Sequence, residues 1–181
     1  MGKLPEHLIR DARRGKEAAF LRLFDEHYRP LFRFAWRLTG SISEAEDIVQ
    51  ECSLSLLKAD CRFDPARTAI RTYLFGVVRN QALKRLRRRE QEMATEAVDG
   101  RTPETEAVRD EMAKAVAAAI AQLPETQREV LLLAHYEQLP LAEIAEITQL
   151  EVAAVKSRLQ RTRATLRETL AAYALQTERN V

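Results

Sequence analysis

Apolar side chains recur every three or four residues along most of this 181-residue chain, which is the spacing of one buried face of an α-helix. The first such stripe runs through Phe20, Leu23 and Leu38, with Pro30 expected to kink the helix or start a new one and Gly40 expected to end it. Long runs of alternating β-branched residues are missing, and the chain holds only five glycines. The pattern therefore predicts an all-α protein.

Two further helices are predicted in the first half of the chain. Ser43 and Glu46, three residues apart, form a capping-box pattern that predicts the start of the second helix. The apolar side of that helix consists of Ala45, Ile48, Val49, Cys52 and Leu56. After the irregular segment "ADCRFDPAR", the stretch "TAIRTYLFGVVRNQALKRLRRR" predicts a long helix. Its inward-facing residues are Ile70, Leu74, Val77 and Val78.

The composition changes sharply after this helix. Residues 91–111 are acidic, contain Gly100 and Pro103, and have few large apolar side chains, so they are predicted to form a flexible linker. Beyond the linker the helical pattern returns, with breaks at Pro124 and Pro140 and a second capping box at Thr126 and Glu129. The predicted plan is a helical domain at 1–90, a linker at 91–111 and a smaller helical domain at 112–181.

The stretch "LAEIAEITQLEVAAVKSRLQRTRATLRETL" predicts two amphipathic helices with a break at "TQLE". Ile144 and Ile147 supply the buried face of the first helix, and Val155 and Leu159 supply that of the second. Gln149 is the residue nearest to the turn position where the backbone becomes left-handed and glycine is usual. The pattern is that of a helix-turn-helix.

The exposed face of the second helix carries the chemistry of DNA recognition. Lys156, Ser157, Gln160 and Arg161 share one strip of this helix. Arg and Lys suit guanine edges in a major groove, and Gln suits adenine. Arg158 and Arg163 flank the strip and are candidates for phosphate contacts. The alternative is an ordinary solvated basic face on a helical bundle.

Composition and charge reduce the number of possible function classes further. The net charge is only +2, but basic and acidic residues are segregated into blocks. Cys52 and Cys61 lack metal-ligand spacing, and the chain has no phosphate-binding glycine loop and no nucleophile with a plausible base. No metal, no cofactor, no catalytic residue and no enzymatic activity are therefore expected. The polar N-terminus and the lack of a run of about 18 apolar residues predict a cytoplasmic protein without membrane insertion.

Two separate stretches carry a resemblance to a known family. "AEDIVQECSLSLLK" followed by "RFDPARTAIRTYLFGVVRNQALKRLRRR" resembles the bacterial sigma-70 family, specifically its small two-domain extracytoplasmic-function (ECF) group. "LPETQREVLLLAHYEQLPLAEIAEI" with "VAAVKSRLQRTRATLRETL" is similar to that group's second domain, in the right order. The resemblance implies an RNA polymerase sigma factor that binds core polymerase through its beta and beta-prime subunits. It further implies recognition of promoter DNA, double-stranded at the −35 element and single-stranded at the −10 element.

The resemblance also implies roles for particular residues. Core polymerase is expected to contact Asp47, Gln50 and Glu51, here called the acidic strip, beside which Leu54 is an apolar neighbour. The residues expected to bind and melt the −10 element are Arg62, Phe63, Asp64, Arg67, Arg71, Tyr73, Asn80 and Lys84. Tyr73 stands where the family most often has tryptophan. The residues expected at the −35 element are Lys156, Ser157, Arg158, Gln160, Arg161 and Arg163.

A dense block of cations follows on the long helix, and its self-repulsion predicts an anionic partner. Its members are Arg79, Lys84, Arg85, Arg87, Arg88 and Arg89. The main alternative to a sigma factor is a stand-alone helix-turn-helix transcriptional regulator, which would need an apolar dimer face or ligand pocket. A protein-binding helical adaptor would not explain two separated arginine-rich helices. Members of the resembled group are often held inactive by an anti-sigma factor, so such a protein is a further candidate partner.

Overall fold

The computed structural model describes residues 6–58, 61–95 and 111–179, and every regular element in those ranges is helical. An N-terminal half contains helices α1 to α4, and a C-terminal half contains α5 to α8 with a π-helical turn after α6. The elements are α1 Glu6–Arg13, α2 Glu17–Thr39, α3 Ile42–Ser55, α4 Ile70–Thr95, α5 Glu111–Ala121, α6 Glu125–Leu131, the π-turn Leu132–Tyr136, α7 Leu141–Thr148 and α8 Val152–Arg179. The all-α prediction is confirmed.

Helix α2 passes through Pro30 without a break, which excludes one of the two predicted alternatives, that a new helix starts there. Leu23 lies before the proline and Phe34 and Leu38 lie after it, and all three are buried. Packing on both sides of Pro30 thus holds the helix together although the proline cannot donate a backbone hydrogen bond. Gly40 ends the helix as predicted, in a left-handed conformation with φ of 75°.

The N-cap of helix α3 lies two residues earlier than predicted. Ser41 is the N-cap, with extended backbone, and its hydroxyl accepts the Glu44 N–H at 3.3 Å. The Ser43–Glu46 capping box was therefore wrong. Two capping-box patterns overlap here, Ser41 with Glu44 and Ser43 with Glu46. The helix is capped by the earlier serine, because Gly40 ends α2 directly before it. All five residues predicted for the apolar side are buried, as the pattern required.

Helix α4 extends further than predicted, so residues 91–95 of the predicted linker are helical. An ion pair of 2.7 Å between Arg88 and Glu92, one turn apart, supports this extension. Ile70, Leu74 and Val78 are buried on its inner side, and Val77 is half-buried. The rest of the predicted linker up to residue 110 lies outside the described residues.

The breaks at Pro124 and Pro140 are confirmed, because these prolines directly precede α6 and α7. The capping box at Thr126 and Glu129 was wrong, since α6 starts at Glu125 with no side-chain cap. Glu129 is instead fully buried at the interface between the two halves.

The two halves pack against each other. Helix α4 contacts α7, and α2 contacts the π-turn and α6. One apolar core runs across both halves, from Phe34 and Phe75 to Leu133 and Ile144. The rings of Phe34 and Phe75 meet edge to face, with centroids 5.5 Å apart. Residues far apart in the sequence are thereby brought together at one interface.

Candidate functional site

The helix-turn-helix is formed by α7 and α8. Gln149 adopts the left-handed conformation expected at the turn, with φ of 56° and ψ of 40°. Its N–H donates to the Glu146 carbonyl at 3.3 Å, and the next N–H, of Leu150, donates to the Ala145 carbonyl at 3.0 Å. These bonds complete the end of α7 and hold a non-glycine residue in this conformation. Val155 is fully buried on the inner face of α8, so the opposite face of that helix is directed outward.

The structure leaves most of the predicted −35 residues open to solvent. The exposed members are Lys156, Ser157, Gln160, Arg161 and Arg163. Arg158 differs, because its Nη1 lies 3.3 Å from the Glu129 carboxylate and 3.3 Å from the Thr126 carbonyl oxygen. The strip formed by Lys156, Ser157, Gln160 and Arg161, here called the α8 strip, is therefore accessible to a ligand, while Arg158 is engaged within the protein.

The predicted −10 residues fall into two environments. The exposed members are Arg62, Asp64, Arg67, Asn80 and Lys84. The Asp64 carboxylate accepts the Ala66 N–H at 2.9 Å, which orders the loop before α4. Arg71 is half-buried and donates from Nη2 to the Glu137 carbonyl oxygen at 2.6 Å.

Phe63 does not project into solvent as a base-capturing residue would. It is 5% exposed and belongs to the core, with its ring centroid 5.2 Å from that of Tyr73. Tyr73 is half-buried, and its hydroxyl lies 3.8 Å from the Cys61 sulfur. Phe75 is a core residue as well, 1% exposed. In this conformation the aromatic residues of the segment pack inside the protein.

A cleft of about 580 Å³ lies beside the contact between α4 and α7. One wall includes Arg62, Tyr73 and Asn80, and the other includes Glu146 and Gln149. Beside it, the Thr72 hydroxyl donates to the Glu143 carboxylate at 3.4 Å. Three of the eight residues predicted for the −10 element thus face the first helix of the helix-turn-helix.

The acidic strip lies on the outer side of α3, where Asp47, Gln50 and Glu51 are all exposed. Arg85 of α4 lies beside it, 3.0 Å from Glu51 and 3.5 Å from Asp47. Leu54, next to the strip, is 49% exposed although it is apolar. Exposed charge with an adjoining apolar side chain suits a protein contact.

The cation block on α4 is largely neutralised by the chain itself. Arg85 pairs with the acidic strip, Arg88 pairs with Glu92, and Arg89 lies 3.3 Å from Glu44. Arg79 binds Glu129. Lys84 and Arg87 are exposed and form no ion pair with another described residue. The anionic partners predicted for this cation block are therefore mostly carboxylates of the protein itself.

The interface between the halves was missed by the sequence interpretation. Arg79 donates two hydrogen bonds to Glu129, at 2.7 Å and 3.2 Å. Glu137 is 5% exposed, and its carboxylate lies 3.6 Å from Arg33. A sequence signal existed, because Glu129 is a lone carboxylate beside the apolar run "VLLL" and so falls on a buried face.

Burial shifts several pKa values at and near this interface. Burial raises the pKa of Glu137 above its usual value, against the opposing effect of Arg33, Arg71 and Arg37. Burial lowers the pKa of Arg128, whose Nη1 donates to the Leu38 carbonyl at 3.0 Å. These carboxylate and guanidinium groups are thus held in a poorly hydrated environment.

No cluster of three or more metal-ligating side chains occurs among the described residues. Within the same part of the chain, no helix is long and apolar enough to cross a membrane. What the structure offers is a set of exposed basic and acidic surfaces on helices.

Two models of known families match the two halves of this chain. The family model described as Sigma-70 region 2 matches residues 23–92, which span most of α2 to α4. The model described as Sigma-70, region 4 matches residues 113–166, which span α5 to the middle of α8. The chain belongs to the sigma-70 family. Both regions occur in the order that the sequence resemblance predicted.

Similar curated proteins place this sigma factor in the ECF group. The ECF RNA polymerase sigma factor SigL of Mycobacterium tuberculosis is 38% identical over 165 residues, covering 85% of this chain and 90% of SigL. The ECF RNA polymerase sigma factor RpoE of Cereibacter sphaeroides is 32% identical, covering 84% of this chain and 85% of RpoE. The protein is an ECF RNA polymerase sigma factor, as predicted.

Solved structures agree with the fold of this sigma factor. CnrH in complex with the cytosolic domain of CnrY has a TM-score of 0.68 and 27% identity, covering 91% of this chain and 96% of CnrH. The sigma factor RpoE in complex with the anti-sigma factor NepR, from Bartonella quintana, has a TM-score of 0.68 and 24% identity, covering 84% of this chain and 96% of RpoE.

Proposed function

We propose that this sigma factor binds core RNA polymerase and directs it to promoters by contacting both the −35 and the −10 element. The observation that carries the proposal is the α8 strip, where Lys156, Gln160 and Arg161 project into solvent from the second helix of a helix-turn-helix. RNA synthesis itself belongs to the polymerase, so the sigma factor supplies recognition and no catalytic group.

At the −35 element, the α8 strip enters the major groove of double-stranded DNA. Arg161 and Lys156 donate to guanine edges, Gln160 pairs with adenine, and Ser157 provides a short donor or acceptor. Arg163 is exposed beside the strip and binds phosphate, which positions the helix without reading sequence. Arg158 joins these contacts only if it leaves Glu129.

At the −10 element, the loop before α4 and the first part of α4 hold the melted strand. Arg62, Arg67 and Lys84 are exposed cations suited to its phosphates, and Asn80 is an exposed amide suited to a base edge. Asp64 orders the loop. Stacking of an unpaired base on Tyr73 or Phe63 requires these half-buried and buried rings to become accessible first.

Polymerase binding is assigned to the acidic strip. An exposed acidic surface is complementary to a basic surface on the beta-prime or beta subunit, and such complementarity both steers association and fixes orientation. Leu54 adds an apolar contact beside the charges. Since polymerase and promoter lie in the cytoplasm, the protein acts there.

An anti-sigma factor is proposed as a second protein partner. One of the similar solved structures supports this proposal, because it contains a sigma factor in complex with the anti-sigma factor NepR. A pull-down with the wild-type protein as bait would identify such a partner.

Run-off transcription with purified core polymerase, on a genomic fragment library with sequenced 5′ ends, tests the proposal. A pair of motifs shared upstream of the mapped starts is the expected result. A variant with Lys156→Ala and Arg161→Ala should lose these transcripts, while Arg167→Ala, an exposed cation further along α8, should keep them. Transcripts that start without a shared motif, or that persist in the double variant, would contradict the proposed promoter contacts.

A further inference from the structure

The first turn of α8 presents two apolar side chains at the point where the polar α8 strip begins. Val152 is the first residue of α8 and is 45% exposed, and Ala153 beside it is exposed as well. Helical spacing places Ala153 one turn before Ser157, in the middle of the strip, and Val152 one turn before Lys156, at its edge. The apolar first turn, meaning Val152 and Ala153, thus continues the α8 strip to the N-terminal end of the helix.

Backbone hydrogen bonds and packing fix the direction of this turn. The N–H of Leu150 donates to the Ala145 carbonyl at 3.0 Å, which joins the end of α7 to the start of α8. The N–H of Val155 donates to the Glu151 carbonyl at 3.1 Å, across the first turn of α8. Val155 is fully buried on the inner face of the helix. The apolar first turn is therefore held in a defined position relative to the α8 strip.

The size of this apolar surface argues against a protein partner. The residues that flank it along the helix, Glu151, Lys156 and Ser157, are all exposed and polar. Apolar patches that serve as protein interfaces cover on the order of several hundred Å². Two small side chains between polar neighbours offer much less area, and they match a ligand group about the size of a methyl.

The major groove of DNA presents such a group. The C5-methyl of thymine is the apolar substituent on its base edges, whereas the other groups there are hydrogen-bond donors and acceptors. In a helix-turn-helix the N-terminal residues of the second helix contact base edges. Apolar side chains at that end of the helix favour a thymine methyl over a polar base edge, because covering a donor or acceptor without giving it a partner is costly.

We propose that the apolar first turn reads a thymine of the −35 element through its C5-methyl group. The inference rests on the proposed function, since it requires α8 to lie in the major groove. Val152 supplies the larger apolar surface, and Ala153 is small enough for the end of the helix to approach the base pair closely. One helical turn is about 5.4 Å long and base pairs are about 3.4 Å apart, so the thymine lies within about two base pairs of the one that Lys156 contacts.

Replacing thymine by uracil tests this contact, because the replacement removes the methyl group and leaves the pairing with adenine unchanged. Synthetic fragments of a promoter identified by run-off transcription carry uracil at one −35 thymine at a time, on either strand. The sigma factor is used in complex with core polymerase, and its Kd for each fragment is divided by its Kd for the all-thymine fragment. A substitution that alters polymerase binding affects both values, so the ratio reports the methyl group alone.

The main variant combines Val152→Ser with Ala153→Ser, which replaces both apolar side chains at the start of a helix, where serine is well tolerated. Its matched control is Ile42→Ser, because Ile42 is also the first residue of a helix, α3, and is 56% exposed. Circular dichroism compares the helix content of each variant with that of the wild type. The single variants Val152→Ser and Ala153→Ser divide the effect between the two side chains, and they decide the question if the double variant does not fold.

The wild type and Ile42→Ser should both bind about fourfold more weakly when one particular −35 thymine becomes uracil, the factor expected when one methyl group leaves an apolar contact. In the double variant the same replacement should leave the Kd unchanged. The inference is overturned if uracil has no effect at any −35 position, or if the −35 motif contains no thymine on either strand. A uracil effect that persists in the double variant overturns it as well, because that effect then belongs to the DNA itself or to another residue.

The same measurements separate this inference from the proposed function. A shared −35 motif whose binding depends on Arg161 but not on any thymine methyl would remove the thymine contact and leave the contacts of the α8 strip intact. Transcription that starts without any shared −35 motif would overturn both.

Discussion

Arg158 lies 3.3 Å from the buried carboxylate of Glu129, although the neighbouring cations of α8 point into solvent. Its position at the start of the second helix of a helix-turn-helix suggests a phosphate contact, but the structure gives it a partner inside the protein. Arg158 and Arg163 therefore differ in their expected roles, and the difference can be measured.

Arg158→Ala should lower the free energy of unfolding by about 1–3 kcal/mol, because Glu129 loses a charged donor while keeping Arg79. Arg163→Ala, at an exposed position on the same helix, should change it by less than about 0.5 kcal/mol. Urea unfolding followed by circular dichroism gives both values. Equal stability of the two variants would mean that the Arg158–Glu129 contact contributes little in solution.

Arg161→Ala should weaken binding to the −35 duplex by about 1–3 kcal/mol and relax the base preference at one position. The reason is that Arg161 projects from the exposed α8 strip, where a guanidinium can pair with one guanine. Binding to duplexes substituted at each position measures both effects, with Arg167→Ala as control. An equal loss of affinity on every duplex would mean that Arg161 contacts a phosphate and not a base.

Gln50→Arg should weaken the complex with core polymerase about tenfold, which corresponds to 1.4 kcal/mol. The substitution adds a positive charge to the acidic strip without removing either carboxylate that pairs with Arg85. Ala18→Arg makes the same charge change at an exposed position of α2 and is the matched control. Titration of labelled protein with core polymerase is the measurement, and equal affinities would remove α3 from the polymerase interface.

Phe63→Ala should reduce stability by about 3–5 kcal/mol, because Phe63 is 5% exposed and packs against Tyr73. Thermal or chemical unfolding measures this cost. If the melting temperature stays unchanged, the ring is solvent-exposed in the free protein, and its role lies with unpaired bases instead. A promoter-opening assay on this variant is meaningful only at temperatures where it remains folded.

His27 should make the protein less stable in mild acid. It is 6% exposed, and burial lowers its pKa from 6.5. Below pH 6.5 the unfolded chain therefore takes up a proton that the folded protein excludes, so stability is full above that pH and falls as the pH drops below it. The slope is at most about 1.4 kcal/mol per pH unit. Urea unfolding between pH 7.5 and 5.5 should show this loss in the wild type and in His135→Gln, an exposed histidine, but not in His27→Gln; a loss that persists in His27→Gln belongs to another group.

The local features of this protein were readable from the sequence. Helical periodicity identified the buried stripes, including Ile48 and Val49 on α3 and Val155 on α8, because a repeating apolar face reports burial directly. The helix-turn-helix followed from two amphipathic helices with a break between them, although the missing glycine at Gln149 counted against it. An error arose where local signals competed, because overlapping capping patterns begin at Ser41 and at Ser43 and the structure uses the first. Of the two alternatives predicted at Pro30, packing on both sides excludes a new helix.

The sequence by itself determined the helices, the helix-turn-helix and the family, since these depend on contacts and motifs within short stretches. Only the tertiary structure decided which charged residues are free. Arg79 meets Glu129 fifty positions away, and Arg158 meets the same carboxylate from a third helix. An arginine looks the same in a sequence whether it faces solvent or a buried anion. Its availability to DNA depends on which helices pack together, and that is a property of the folded chain.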